Sequence, residues 1–221
     1  MCTLEKRGSL FILTLTGDTN KDQHRLNPTL ISSIRSALAQ VKSQAVNGSA
    51  LITLSQGRFF SNGFDLNHAQ SVGAKYGSVK AAKDELILMV DLFKGVVADY
   101  LSLPMPTVAA AVMYMSELDI GMSLPDYFMA MIRGKVGSAS SRRDLVLRAA
   151  KVSAEEAVGM GIVDSTHGSA EEVVAAAFGV AEELGKRKWS GDAYAAIRKS
   201  LYPEVCGLLG LKCEEVMPSK L

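Results

Sequence analysis

With 221 residues the chain can bury a sizeable core, as one large domain or two small ones. Twenty-four basic residues against 23 acidic ones leave a net charge of +1, so no global field recruits nucleic acid or an anionic membrane. The cysteines Cys2, Cys206 and Cys213 are odd in number and lack a ligand spacing such as C-x-x-C. They point to reduced thiols in an intracellular compartment and to no metal site.

The N-terminal stretch MCTLEKRGSLFILTLTG has an apolar run too short for a signal segment or a membrane span, and it reads as a strand centred on Ser9 to Thr16. Gly17-Asp18 marks a turn, and a polar loop through His24 and Arg25 follows. Asn27-Pro28 supplies a helix N-cap and a first-turn proline, and Leu30, Ile31, Ile34, Leu38 and Val41 recur at helical spacing. Ser49 to Leu54 is the next strand. Residues 67–77 hold two glycines and no clear period, so they read as loop, whereas Val79 to Leu101 is a long amphipathic helix stopped by Leu103-Pro-Met-Pro106.

Thr107 to Met115 is a continuous apolar run and reads as one buried strand. Leu124-Pro125-Asp126 opens a short helix ending near Gly134, and residues 139–150 form another. Ser153 and Glu156 have the spacing of a capping box, in which each side chain bonds the other's backbone N–H. Gly159 to Asp164 reads as a turn and a short strand, and residues 169–187 and 190–210 as two further helices. The pattern β, α, β, α, β followed by helices predicts an α/β core over residues 1–137, a helical region over 138–216 and a tail over 217–221.

The octet FFSNGFDL, residues 59–66, turns sharply just beyond the strand ending at Leu54. Two readings stand. Asn62-Gly63 is a common turn signal needing no function, and Gly63 is also the residue that lets a backbone approach a ligand with the Asn62 N–H turned towards it.

Together, FFSNGFDL, LPMPTVAAAV (103–112), YMSELDIG (114–121) and KVSAEEAVGMGIVD (151–164) resemble, in order, the motifs of the crotonase, or enoyl-CoA hydratase/isomerase, superfamily. Within it they are most similar to the plant peroxisomal Δ3,Δ2-enoyl-CoA isomerases. The resemblance implies a crotonase-like spiral of ββα units with a C-terminal helical region that builds trimers or hexamers. It also implies an enoyl-CoA substrate, with no metal or prosthetic group as cofactor.

By the resemblance, Asn62 donates its backbone N–H to the thioester oxygen, where a fixed donor stabilises the enolate formed by proton abstraction. Ser61, Gly63, Phe64, Asp65 and Leu66 build the rest of that substrate-binding turn. Glu117 falls where the family places its catalytic carboxylate, and its apolar neighbours Met115, Leu118, Ile120 and Met122 suit a proton shuttle; without the resemblance it reads as a solvated loop glutamate. The second glutamate by which hydratases activate water has no counterpart, which favours isomerase over hydratase.

Other polar residues keep two readings each. Asp65 caps a short turn, His68 is a surface loop residue or a pocket wall, and Arg25 is a CoA contact or a solvated cation. Ser219-Lys220-Leu221 matches a peroxisomal import signal read by a receptor, which places the protein in the peroxisome.

One departure cuts against the resemblance. Val112-Met113 runs directly into Tyr114-Met-Ser-Glu117, where the family has a Gly-His segment carrying a second oxyanion donor. About two dozen residues, roughly one helix and one strand, are missing. The alternatives are a hydratase-like or thioesterase-like crotonase and a non-catalytic subunit of the same fold.

Overall fold

The computed structural model describes residues 1–16, 23–57, 59–110, 115, 117–119 and 121–212. Two compact units divide the chain, Met1–Ala111 with Ala177–Ala195, and Val112–Ala176 with Ala196–Leu221.

In the first unit, β1 (Cys2–Arg7) and β2 (Leu10–Leu15) form an antiparallel hairpin with Arg7 opposite Leu10. The predicted single N-terminal strand is therefore two. Gly8 adopts φ +60°, which allows the chain to reverse there. From β2 the chain enters α1 (Pro28–Ser43) and returns as β3 (Ala50–Ser55), parallel to β2. Asn27 caps α1 as expected, its Oδ1 accepting from the Leu30 N–H at 3.0 Å. The helices α2 (Leu66–Lys75) and α3 (Val79–Leu101) then lead to β4 (Thr107–Ala109), parallel to β3, for a sheet order β1-β2-β3-β4.

Both faces of the central strands are covered, which is why β2 and β3 read as nearly unbroken apolar runs. Phe11, Leu13, Leu15 and Leu51 pack with Leu30, Ile31, Leu38 and Val41 of α1 and with Met89 and Val96 of α3. On the opposite face Leu10, Ala50 and Ile52 meet Ala177 and Ala181 of α7 (Ala170–Lys186). Those two alanines lie one turn apart on the helix, and their small side chains let it approach the sheet.

Two expectations fail in this unit. Residues 67–77 are mostly the helix α2, started by Asp65, whose Oδ1 accepts from the His68 N–H at 3.0 Å. Its buried positions are Ala69 and Gly73, too small to give an apolar periodicity. A Cβ on Gly73 would lie 2.7 Å from the Ala82 Cβ, so the glycine is what brings α2 against α3. Of the buried strand expected over Thr107 to Met115, the described residues show the three of β4, with Thr107 and Ala109 exposed and Ala110 no longer strand. Among the described residues it pairs with β3 and no other strand, and residues 111–114 lie outside them.

The second unit holds α4 (Asp126–Lys135), α5 (Ala139–Leu147) and α6 (Ala154–Gly159), and Ile132 of α4 and Leu145 of α5 cluster with Met115 and Val136. The capping box of Ser153 and Glu156 forms as expected. No strand follows it, since residues 160–164 are turn and bend. The helix expected over 190–210 is broken into α8 (Gly191–Leu201) and α9 (Pro203–Leu208). Pro203 has no N–H to continue a helix and drives Tyr202 to φ −122°, ψ 57°.

Candidate active site

The octet is held from outside itself. Gln23 to Leu26 runs alongside it, and Leu26 and Phe64 form a parallel bridge. Leu26 donates to the Gly63 carbonyl at 2.8 Å and accepts from the Asp65 N–H at 3.0 Å. Asn62 donates its N–H to the Gln23 carbonyl at 2.8 Å, and the Ser61 hydroxyl donates to the His24 carbonyl at 2.8 Å.

That pattern corrects the expectation for Asn62. Its N–H is consumed by Gln23, so it is not presented to a ligand. The N–H groups of Asn62 and Asp65, three residues apart, both bond the Gln23–Leu26 segment, because Gly63 between them breaks the alternation of an extended chain. Phe64, bridged through its neighbours, turns its own N–H the other way. From Asn62 to Leu66 it is the Phe64 N–H that has no hydrogen bond among the described residues. Its ring is anchored edge-on to Phe93, centroids 5.8 Å apart, which holds the residue in place. Gly63, at φ +71°, makes the corner between the two directions.

The remaining predicted residues of the turn come together in the same unit. Asp65 caps α2, as expected, and its Oδ2 also meets the Asn27 Nδ2 at 3.4 Å, joining the caps of two helices. Leu66 opens α2. Arg25 lies in the bridging segment, and its Nε donates to the Gln23 Oε1 at 2.8 Å. His68 is neither loop nor bare surface, because its Nε2 sits 2.9 Å from the Glu85 Oε1 between α2 and α3.

Glu117 belongs to the second unit. It lies in the turn 117–119, its carbonyl accepting from the Met122 N–H at 2.8 Å. The side chain is half-buried, and its Oε2 is fully buried with no hydrogen-bond partner. A buried carboxylate oxygen without a donor is costly for a fold and calls for an explanation. Of the apolar neighbours expected around it, Met115 is buried, Met122 half-buried and Leu118 exposed, and Ile120 lies outside the described residues.

Among the described residues no group of three or more His, Cys, Asp or Glu side chains is placed to hold a metal ion, and no helix is long and apolar enough to cross a membrane. The import tripeptide Ser219-Lys220-Leu221 and the join at Val112-Met113 lie outside the described residues.

Comparison with known proteins decides the family. The chain is 50% identical to the peroxisomal enoyl-CoA delta isomerase 2 of Arabidopsis thaliana, over 100% of both chains. It is 47% identical to enoyl-CoA delta isomerase 3 of the same plant, again over 100% of both, and 45% identical to the peroxisomal enoyl-CoA delta isomerase 1 over 93% of this chain and 91% of that one. The chain belongs to the enoyl-CoA delta isomerase family. No protein-family model matches it.

Solved structures give the fold of this isomerase family member. A probable enoyl-CoA hydratase from Mycobacterium tuberculosis superposes with a TM-score of 0.78 at 20% identity, over 95% of this chain and 91% of that chain. An enoyl-CoA hydratase/isomerase family protein from Pseudomonas syringae gives 0.74 at 22% identity, over 95% of each. The crotonase-like α/β fold inferred from the motifs is thus the fold found. The first Arabidopsis alignment spans 247 positions for the 221 residues here, so 26 of its positions carry no residue of this chain.

Proposed function

We propose that the chain is a Δ3,Δ2-enoyl-CoA isomerase, moving the double bond of a 3-enoyl-CoA to the trans-2 position. The observation that carries this reading is the 50% identity, over the full length of both chains, to a protein named for that activity. Glu117 supplies the chemistry. Its carboxylate takes the C2 proton, the C2–H electrons flow into the thioester as a dienolate, and the same carboxyl returns the proton to C4, leaving C2=C3 and the carbonyl restored. The buried, unpartnered Oε2 supports that role.

The dienolate oxygen needs a fixed donor, and the Phe64 N–H fits that need better than the Asn62 N–H, which Gln23 already holds. Ser61, Asn62, Gly63, Asp65 and Leu66 then act as the frame of the donor, and Arg25 as a cation near the CoA moiety. The thioester itself acidifies C2, so the reaction calls for no metal or prosthetic group.

The setting follows from the same reading. A peroxisomal setting is supported by the names of two relatives and by Ser219-Lys220-Leu221 as the contact for an import receptor, and fatty-acid β-oxidation there is the process such an isomerase would serve. A fluorescent protein carrying Met217 to Leu221 should enter peroxisomes, and loss of Leu221 should leave it in the cytosol. Assembly as a homotrimer or hexamer is supported by α8, which has no buried residue and exposes Ile197 and Leu201.

Product analysis tests the function. Incubated with a 3-enoyl-CoA, the purified chain should yield trans-2-enoyl-CoA. A 3-hydroxyacyl-CoA or free CoA as the main product would make it hydratase-like or thioesterase-like, and no product would leave a non-catalytic subunit.

A further inference from the structure

His24 is the most deeply buried polar residue near the octet, 2% exposed, and the mechanism above does not use it. Its backbone has φ +41°, in the left-handed region that a residue other than glycine occupies only when its surroundings hold it there. Its ring Nε2 lies 2.6 Å from the Gln56 carbonyl. A carbonyl can only accept, so Nε2 carries a proton, while Nδ1 is buried with no partner. One residue therefore makes two connections. The ring holds Gln56, which continues from β3 and donates its own N–H to Leu15 at the end of β2, and the His24 carbonyl holds the Ser61 hydroxyl.

We infer that His24 is a positioning residue for the oxyanion turn. It ties the Gln23–Leu26 segment to the sheet through Gln56, and that segment carries the bonds to Asn62, Gly63 and Asp65 that set the direction of the Phe64 N–H. The inference rests on the isomerase reading for its effect on turnover, but the tie itself is independent of it. Without the ring, the segment keeps its ladder to the octet and loses its anchor to the sheet, so both shift together. A donor displaced by about 1 Å costs roughly 10²-fold in rate while a substrate bound mainly through its CoA moiety is still held.

Two variants separate the ring's hydrogen bond from the backbone strain. Asparagine tolerates the left-handed region better than histidine does, but His24→Asn is too short to reach Gln56. In His24→Gln a terminal N–H₂ can stand where Nε2 stands, restoring the bond. Turnover of a 3-enoyl-CoA and amide hydrogen exchange at Asn62 are measured in both, beside the unaltered chain. We expect His24→Asn to lower kcat by at least ~10-fold with KM changed less than about twofold, and to speed Asn62 exchange by at least ~10-fold, with His24→Gln close to the unaltered chain in both. Unchanged kcat and exchange in His24→Asn would overturn the inference. So would a rise in KM alone, or a His24→Gln variant as impaired as His24→Asn. If the unaltered chain gives no turnover, the isomerase reading fails, and exchange at Asn62 still decides whether His24 holds the turn.

Discussion

Asn62 gives its backbone N–H to the carbonyl of Gln23, 2.8 Å away, in the turn from which an enolate donor is expected. The bond ties Asn62 into the turn and leaves the donor role proposed above to Phe64. Replacing a single amide by an ester removes an N–H with little change of shape. At Phe64 we expect a ~10²–10³-fold loss of kcat with little change in stability, as for other preorganised donors. At Asn62 we expect about 1 kcal/mol of destabilisation from the lost internal bond, with turnover largely kept. The reverse outcome would return the donor role to Asn62.

The second expectation concerns the 26 alignment positions that this chain lacks. If they held the family's other oxyanion donor, the chain is at best a feeble isomerase, because one such donor is worth ~10²–10³ in rate. A version with a family-like Gly-His segment inserted after Val112 should turn over a 3-enoyl-CoA at least ~10² faster and melt more sharply. Equal rates and equal cooperativity in the two chains would show that nothing needed is missing.

Tyr100 gives an alkaline test of the core. Burial pushes its hydroxyl up to about 12, against a smaller opposing effect of the 2.9 Å hydrogen bond with the Thr53 hydroxyl. The folded state therefore keeps a proton that the unfolded chain gives up near the ordinary tyrosine value. The contribution is fully present below about pH 10 and is lost as the pH rises towards 12, about 2–3 kcal/mol in all. Urea unfolding across that range should show the decline, and Tyr100→Phe should flatten it. An equal decline in Tyr100→Phe would place the titrating group elsewhere.

Elements with large apolar side chains at regular spacing were legible in the sequence, and α1 and α3 lie where the periodicity places them. α2 was not, because it is held by Gly73 against Ala82 and by the Asp65 cap, and neither close approach nor a cap gives a period. The length of β4 was hidden for the opposite reason, since an apolar run shows affinity for a core but not where its hydrogen-bonding partner ends. In the octet the turn and its glycine could be read directly. Which N–H faces outward could not, because that depends on the pairing with Gln23 to Leu26, more than thirty residues away in sequence.

In the proposed mechanism one carboxylate, that of Glu117, carries the proton from C2 to C4. Glu117→Gln keeps the side chain's shape and removes its capacity as a base, so the direct measurement is conversion of a 3-enoyl-CoA to trans-2-enoyl-CoA by the two chains under the same conditions. We expect turnover by the native chain and a loss of at least ~10² in Glu117→Gln with the melting temperature little changed. Equal turnover in the two would mean that the proton travels by another group, and the single-glutamate mechanism would be wrong.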